Sequence, residues 1–218
     1  QKLKKMQKTD DDKKKVSIIE KAIQLISDEK KILGNLDKEE INYLNTYQLI
    51  STKPVVYICN VDENSALSGN EFTKKIDTYS KENNSEVLLI SAKIESEISQ
   101  ITDFKDKQDF LESMGLKETG LKRVIKKGYE ILNYINYFTA GEKELRAWTI
   151  TKGTLAPSAA GTIHSDMEKG FIRAETISFN DYLSHKGEAG AKEKGKLRLE
   201  GKEYEVKDGD IMHFLFNV

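Results

Sequence analysis

A chain of 218 residues that is 38% hydrophobic and 33% charged can form one to two domains with cores of their own, and its balance is that of an ordinary soluble globular protein. Lys and Arg number 35 against 36 Asp and Glu, a net charge of -1, so any anionic partner must be met by a local patch and not by the overall field. The single Cys59 excludes an internal disulfide and no apolar run approaches the length of a membrane span, which points to a cytoplasmic protein.

The opening "QKLKKMQKTDDDKKK" is a solvated charge run that begins on Gln, which suggests a start part-way through a larger protein. Val16, Ile19, Ile23 and Ile26 then recur at three- and four-residue steps, the stripe of an amphipathic helix that packs on a partner, with its end marked by "LGN". In "NLDKEEINYL" Asp37 caps the next helix with Glu40 three residues on, as a capping box requires. Ile41, Leu44 and Tyr47 supply its buried face, so the two helices make a hairpin.

Pro54 lacks the N–H that a helix needs and pushes the residue before it toward extended geometry, so a strand begins there. "VVYIC" and "EVLLISA" are short aliphatic runs without alternation, the look of strands covered on both faces of a parallel sheet. Between them Phe72, Ile76 and Tyr79 stand at helical spacing, completing a β-α-β unit. From Leu121 a further helix carries Leu121, Val124, Ile125, Gly128 and Leu132 on one side and Lys122, Arg123, Lys126 and Lys127 largely on the other. After Tyr134 the character changes to short strands punctuated by Gly and Asp-Gly, "ELRAWTI", "FIRAETISF", "KLRLEG", "KEYEV" and "DIMHFLFNV", around two helices. This predicts a small mixed sheet of its own, with a domain boundary near Tyr134. The fold class is therefore α/β followed by α+β.

In an open α/β sheet ligands bind beyond the carboxyl ends of the strands, and both "NVDE" and "SAK" fall at such ends. Asn60 offers donors and an acceptor in one plane, which suits a purine edge, and the nearby Glu63 carboxylate can accept from ring or exocyclic N–H groups. Ser91, Ala92 and Lys93 end the next strand, where the N–H groups of a tight turn would meet the other side of a base. The plainer alternative is that Asn60 and Glu63 cap the turn after the strand. His164, Asp166 and Glu168 read as helix-end capping and receive no metal. Cys59 and Trp148 read as core residues. Lys122, Arg123, Lys126 and Lys127 are either a solvated helix side or a phosphate-backbone contact.

"NVDE" and "SAK", followed by "TGLKRVIKKGYEILNYINYFTAGEKELRAWTI", "APSAAGTIHSDMEKGFIRAETISF" and "KDGDIMHFLFNV", resemble the YchF or Obg-like ATPase family, a branch of the translation-factor-related P-loop GTPases. The resemblance implies three parts: residues 1–51 from a helical coiled-coil insertion, 52–133 the last part of a P-loop nucleotide-binding domain, and 134–218 a TGS domain of β-grasp shape. It implies that Asn60 meets the adenine edge, that Val61 meets the base through its backbone, and that Ala92 closes the far side, with Glu63, Ser91 and Lys93 completing the site.

The chain departs from the family pattern in one respect, since no G-x-x-x-x-G-K-[ST] occurs and with it go the phosphate cradle, its Lys and the Mg²⁺-binding hydroxyl. This chain is not expected to hydrolyse nucleotide unaided, and Mg²⁺ is expected only together with such a cradle. Guanine-specific relatives carry Asn-Lys-x-Asp, where Val61 and Glu63 stand here; the longer carboxylate disturbs the pairing with guanine, so ATP is the expected nucleotide and GTP the alternative. By resemblance the chain belongs to a nucleotide-binding, translation-associated switch with the ribosome as partner. The alternative is a non-catalytic module that binds ribosomal RNA or protein, its nucleotide site vestigial.

Overall fold

A computed structural model describes residues 9–30, 32–141 and 144–217. The chain forms two compact units that divide between Ile125 and Lys126. In the first unit, helix α1 (Asp10–Ser27) opens on a capping box between Thr9 and Asp12. Its buried face differs from the expected stripe: Val16, Ile18 and Ala22 are buried, Ile19 is partly so, while Ile23 and Ile26 lie exposed. Ile18 and Ala22 are one turn apart and meet Ile32 and Leu44, so the partner selects the stripe containing small Ala22, over which the second helix can close in. The helix also stops earlier than "LGN", at Ser27, with Asp28 as its cap and Glu29 at φ +56°.

Helix α2 (Lys38–Asn45) starts on the expected capping box, in which Asp37 Oδ1 accepts the Glu40 N–H at 2.8 Å and Glu40 accepts from Asp37 N–H. Leu44 is buried, whereas Tyr47 falls past the helix end and is exposed. Lys14 reaches Glu39 and Lys21 reaches Glu40, tying α1 to α2.

Strand β1 (Val56–Asn60), helix α3 (Glu71–Glu82) and strand β2 (Glu86–Ile90) form the β-α-β unit, and the strands pair in parallel with Val56 opposite Glu86 and Asn60 opposite Ile90. The face that α3 buries is not the aromatic one. Thr73 and Ser80 are buried while Phe72 and Tyr79 are exposed. Both hydroxyls bond to carbonyls of their own helix, Thr73 to Asn70 and Ser80 to Asp77, so burying them leaves no donor unmet and brings the helix close to the strands. Nor is β1 covered on both faces among the described residues, since Ile58 is exposed.

Helices α4 (Ala92–Gln100), α5 (Phe104–Ser113) and α6 (Gly120–Ile131) follow, with Ile94, Ile98, Leu111 and Leu116 packed on Ala66. Glu95 caps α6 from α4: its carboxylate accepts the N–H groups of Gly120 and Leu121 at 2.6 and 3.2 Å. On α6, Leu121 and Ile125 are exposed among the described residues. Arg123 does not belong to a solvated basic face, because its Nη2 donates to the Leu89 carbonyl at 2.7 Å.

The second unit holds β3 (Tyr134–Ala140), β4 (Leu145–Thr151), α7 (Ala156–Ile163), α8 (Ser165–Lys169), β5 (Phe171–Ser178), α9 (Phe179–Ser184), α10 (Glu188–Glu193), β6 (Arg198–Glu200) and β7 (Asp210–Phe216). The sheet order is β4-β3-β7-β5-β6, with β3 and β7 parallel and the other neighbours antiparallel. Tyr137, Ile150, Ala159, Phe171, Met212 and Phe214 form its core. "KEYEV" is not a strand and makes only a bridge from Glu205 to Leu155. The expected single helix before Gly195 is two, α9 and α10, broken where Lys186 and Gly187 take positive φ. Trp148 packs against the core, donates to Thr139 Oγ1 at 3.0 Å and carries the Arg146 guanidinium 4.4 Å from its ring centre.

Candidate nucleotide-base site

The carboxyl ends of β1 and β2 bring "NVDE" and "SAK" together through three links. Asn60 closes β1, and its Oδ1 accepts the Ala92 N–H at 3.0 Å. Val61, buried, donates its N–H to the Ile90 carbonyl at 2.8 Å, carrying the β1–β2 pairing one step past the strand end. Glu63 Oε1 lies 2.8 Å from Lys93 Nζ, and this bond is the first cause that holds the Lys93 ammonium above its ordinary pKa.

The parallel register explains the convergence. With Asn60 opposite Ile90, the residues that follow each strand emerge at the same level, and a residue type useful in one loop lies within reach of the other. Neither Asn60 nor Glu63 caps the turn after β1. That role belongs to Asp62, whose carboxylate accepts the Ser65 N–H at 2.9 Å and the Ser65 hydroxyl at 3.1 Å; these bonds hold it below the usual carboxylate range. Asp62 is thereby turned into its own loop.

"SAK" is not a tight turn but the start of α4: Ser91 stands at the N-cap position, Ala92 is the first helical residue and Lys93 the second. Ser91 is buried and its Oγ has no hydrogen-bond partner among the described residues. The first helical N–H of α4 would otherwise have no intrahelical acceptor, which is why the Asn60 amide oxygen finds it. That arrangement fixes the orientation of Asn60, leaving its Nδ2 hydrogens to face away from Ala92. An exposed plane with two donors, a flanking carboxylate and an ammonium can meet the mixed donor and acceptor edge of a purine. Glu95 as the cap of α6, and the Ile90 carbonyl as acceptor for Val61, had no signal in local sequence, because both partners are distant along the chain.

The other candidates sit elsewhere. His164 Nδ1 accepts the Asp166 N–H at 3.2 Å at the start of α8, a capping role, and Glu168 accepts from Ser158 Oγ at 3.1 Å. Cys59 is half-buried in β1. A groove of about 670 Å³ between α5 and the start of α6, with Phe104, Leu111, Lys117 and Lys122 among its lining, includes none of the six site residues.

Residues 134–217 match the family model YchF-GTPase_C, described as a protein of unknown function (DUF933). A curated relative from Haemophilus ducreyi, called ribosome-binding ATPase YchF, is 46% identical over 209 residues, covering 95% of this chain and 57% of its own length. The Bacillus subtilis protein of the same name is 51% identical over 183 residues, covering 83% of this chain and 50% of that relative. The solved YchF GTPase of Schizosaccharomyces pombe superposes with a TM-score of 0.82 at 34% identity, covering 94% of this chain and 55% of the other. Over nearly its whole length the chain is similar to YchF proteins. It spans about half the length of the YchF relatives it matches, and the YchF likeness extends across both compact units, including the residues that join β1 to β2 and α4. Its mixed α/β architecture is that of the S. pombe YchF structure. Among the described residues no helix is long and apolar enough to cross a membrane.

Proposed function

We propose that this chain supplies the base-recognition half of a nucleotide site in a ribosome-associated ATPase, with ATP as nucleotide and GTP as the alternative. The observation that carries the reading is the set of three links at the carboxyl ends of two parallel strands, Asn60 to Ala92, Val61 to Ile90 and Glu63 to Lys93. Asn60 presents its Nδ2 donors to the base, the Val61 backbone and Ala92 border the ring, Ser91 stands buried at the N-cap of α4, and Glu63 with Lys93 forms the outer rim. The phosphates require a separate cradle of backbone N–H groups, a Lys and Mg²⁺, so hydrolysis needs that cradle in addition to this chain.

In this reading residues 1–51 are part of a helical insertion, 52–133 the last part of the nucleotide domain and 134–218 a TGS domain, all in the cytoplasm. The β-grasp assignment is supported by the sheet order, in which the first and last strands of the unit pair in parallel at the centre and each is flanked by its hairpin or antiparallel neighbours. The ribosome as partner is supported by the names of the relatives. The alternative, a non-catalytic module that binds ribosomal RNA or protein, draws on the second unit, which has a core of its own and none of the six site residues.

The test is an NMR titration of this chain with adenosine 5′-monophosphate. Base binding on the order of millimolar should move the amide resonances of Val61, Ala92 and Lys93 and leave those of β7 in place. Shifts confined to other surfaces, or none, would remove the base site from this chain.

A further inference from the structure

Of the two carboxylates in "NVDE", Asp62 is committed to Ser65, so Glu63 alone can address a base. Its carboxylate is not free. Lys93, the second residue of α4, reaches across the mouth of the site and holds Glu63 Oε1 at 2.8 Å, while the Ala92 N–H beside it holds Asn60. Guanine presents two neighbouring N–H donors on one edge, and a carboxylate pairs with both only when it can turn its two oxygens into the plane of the ring, a turn that an ion pair holding Oε1 opposes. Adenine has no such pair of donors, so engaging the carboxylate costs adenine little.

We propose that Lys93 is a specificity-determining positioning residue, which sequesters the Glu63 carboxylate and so lowers the affinity of this pocket for guanine relative to adenine. The proposal rests on the base-site reading above and adds to it the means of discrimination: selection against guanine comes from the ion pair across the two strand ends, together with the length of the Glu63 side chain. Lys93 is 68% exposed and Glu63 35% exposed, so water screens the pair and the effect is moderate.

The experiment titrates this chain with adenosine and guanosine 5′-monophosphates, following the Val61 and Ala92 amides, in wild type, Lys93→Met and Lys93→Arg, and again with Glu63→Gln in each background. Lys93→Met keeps most of the aliphatic stem and removes the charge, and should raise guanine affinity relative to adenine by about two- to fivefold. Lys93→Arg keeps a cation within reach of the carboxylate and should retain the wild-type ratio. In the Glu63→Gln background the Lys93→Met change should have no effect on the ratio, because no carboxylate remains to be released. An unchanged ratio in Lys93→Met, with both nucleotides still bound, would overturn the proposal and leave the base site standing. No perturbation by either nucleotide at about 10 mM would overturn the base site and this proposal with it.

Discussion

Asn60 is assigned two tasks, tying β1 to α4 through its oxygen and reading a base through its nitrogen, and substitution can separate them. Asn60→Asp keeps an oxygen 3.0 Å from the Ala92 N–H and makes it an anion at the start of the nine-residue helix α4. A charge-assisted bond at a helix N-terminus contributes about 0.3–1 kcal/mol, so the unfolding free energy should equal the wild-type value or exceed it by that amount. The same change deletes both Nδ2 donors, and losing one neutral hydrogen bond of about 0.5–1.5 kcal/mol weakens base binding roughly two- to twelvefold. Asn60→Ala removes both tasks; because Asn60 is exposed, the stability loss belongs at the low end of about 0.5–1.5 kcal/mol. Urea unfolding, hydrogen exchange at the Ala92 amide and titration with adenosine 5′-monophosphate measure the three quantities on one sample. Exchange at Ala92 should quicken in Asn60→Ala and stay slow in Asn60→Asp. If Asn60→Asp bound the nucleotide as tightly as wild type, the amide would not be reading the base; if Asn60→Ala left Ala92 exchange unchanged, the bond between them would not exist in solution.

In a protein that also carries a phosphate cradle, Val61→Lys with Glu63→Asp recreates Asn-Lys-x-Asp and should move the ATP to GTP preference toward GTP by at least about tenfold in a competition titration, since two charge-assisted bonds become available to guanine; an unchanged ratio would mean that base choice is made elsewhere. Asp210 is buried and accepts the Tyr204 hydroxyl at 2.7 Å and the Lys207 N–H at 2.9 Å, with Arg198 Nη2 at 3.5 Å, so Asp210→Ala should cost the second unit about 3 kcal/mol. Amide exchange along β7 reads this directly, and a loss below about 1 kcal/mol would show the network to be dispensable. Burial pushes the phenols of Tyr137 and Tyr204 up to about 12 from 10.0, and Asp210 adds to the effect at Tyr204. The unfolded chain therefore gives up these protons first: their contribution is fully present below pH 10 and is lost as the pH rises toward 12. Urea midpoints measured across that window should fall, and less steeply in Tyr204→Phe; a flat profile would contradict the burial of these hydroxyls.

Much of the first unit's layout was legible in the sequence because its signals are local. The Asp37 and Glu40 capping box and the aliphatic runs of β1 and β2 each act within a few residues, and each stands where it was expected, whereas α2 ends at Asn45, well before Pro54. The likeness to YchF proteins was legible too, from the long match of motifs. Buried faces were not. Helical spacing allows two adjacent stripes on α1, and contact with Ile32 and Leu44 selects Ile18 and Ala22 over Ile23 and Ile26. On α3 hydropathy favours Phe72 and Tyr79, yet close approach to the strands favours Thr73 and Ser80, whose hydroxyls are already satisfied within the helix. The site divides in the same way. Sequence nominated its six residues, but only the parallel register of β1 and β2 could set Asn60 against Ala92 and Glu63 against Lys93, pairs separated by about thirty positions, because no local rule of chain geometry couples residues across an intervening helix.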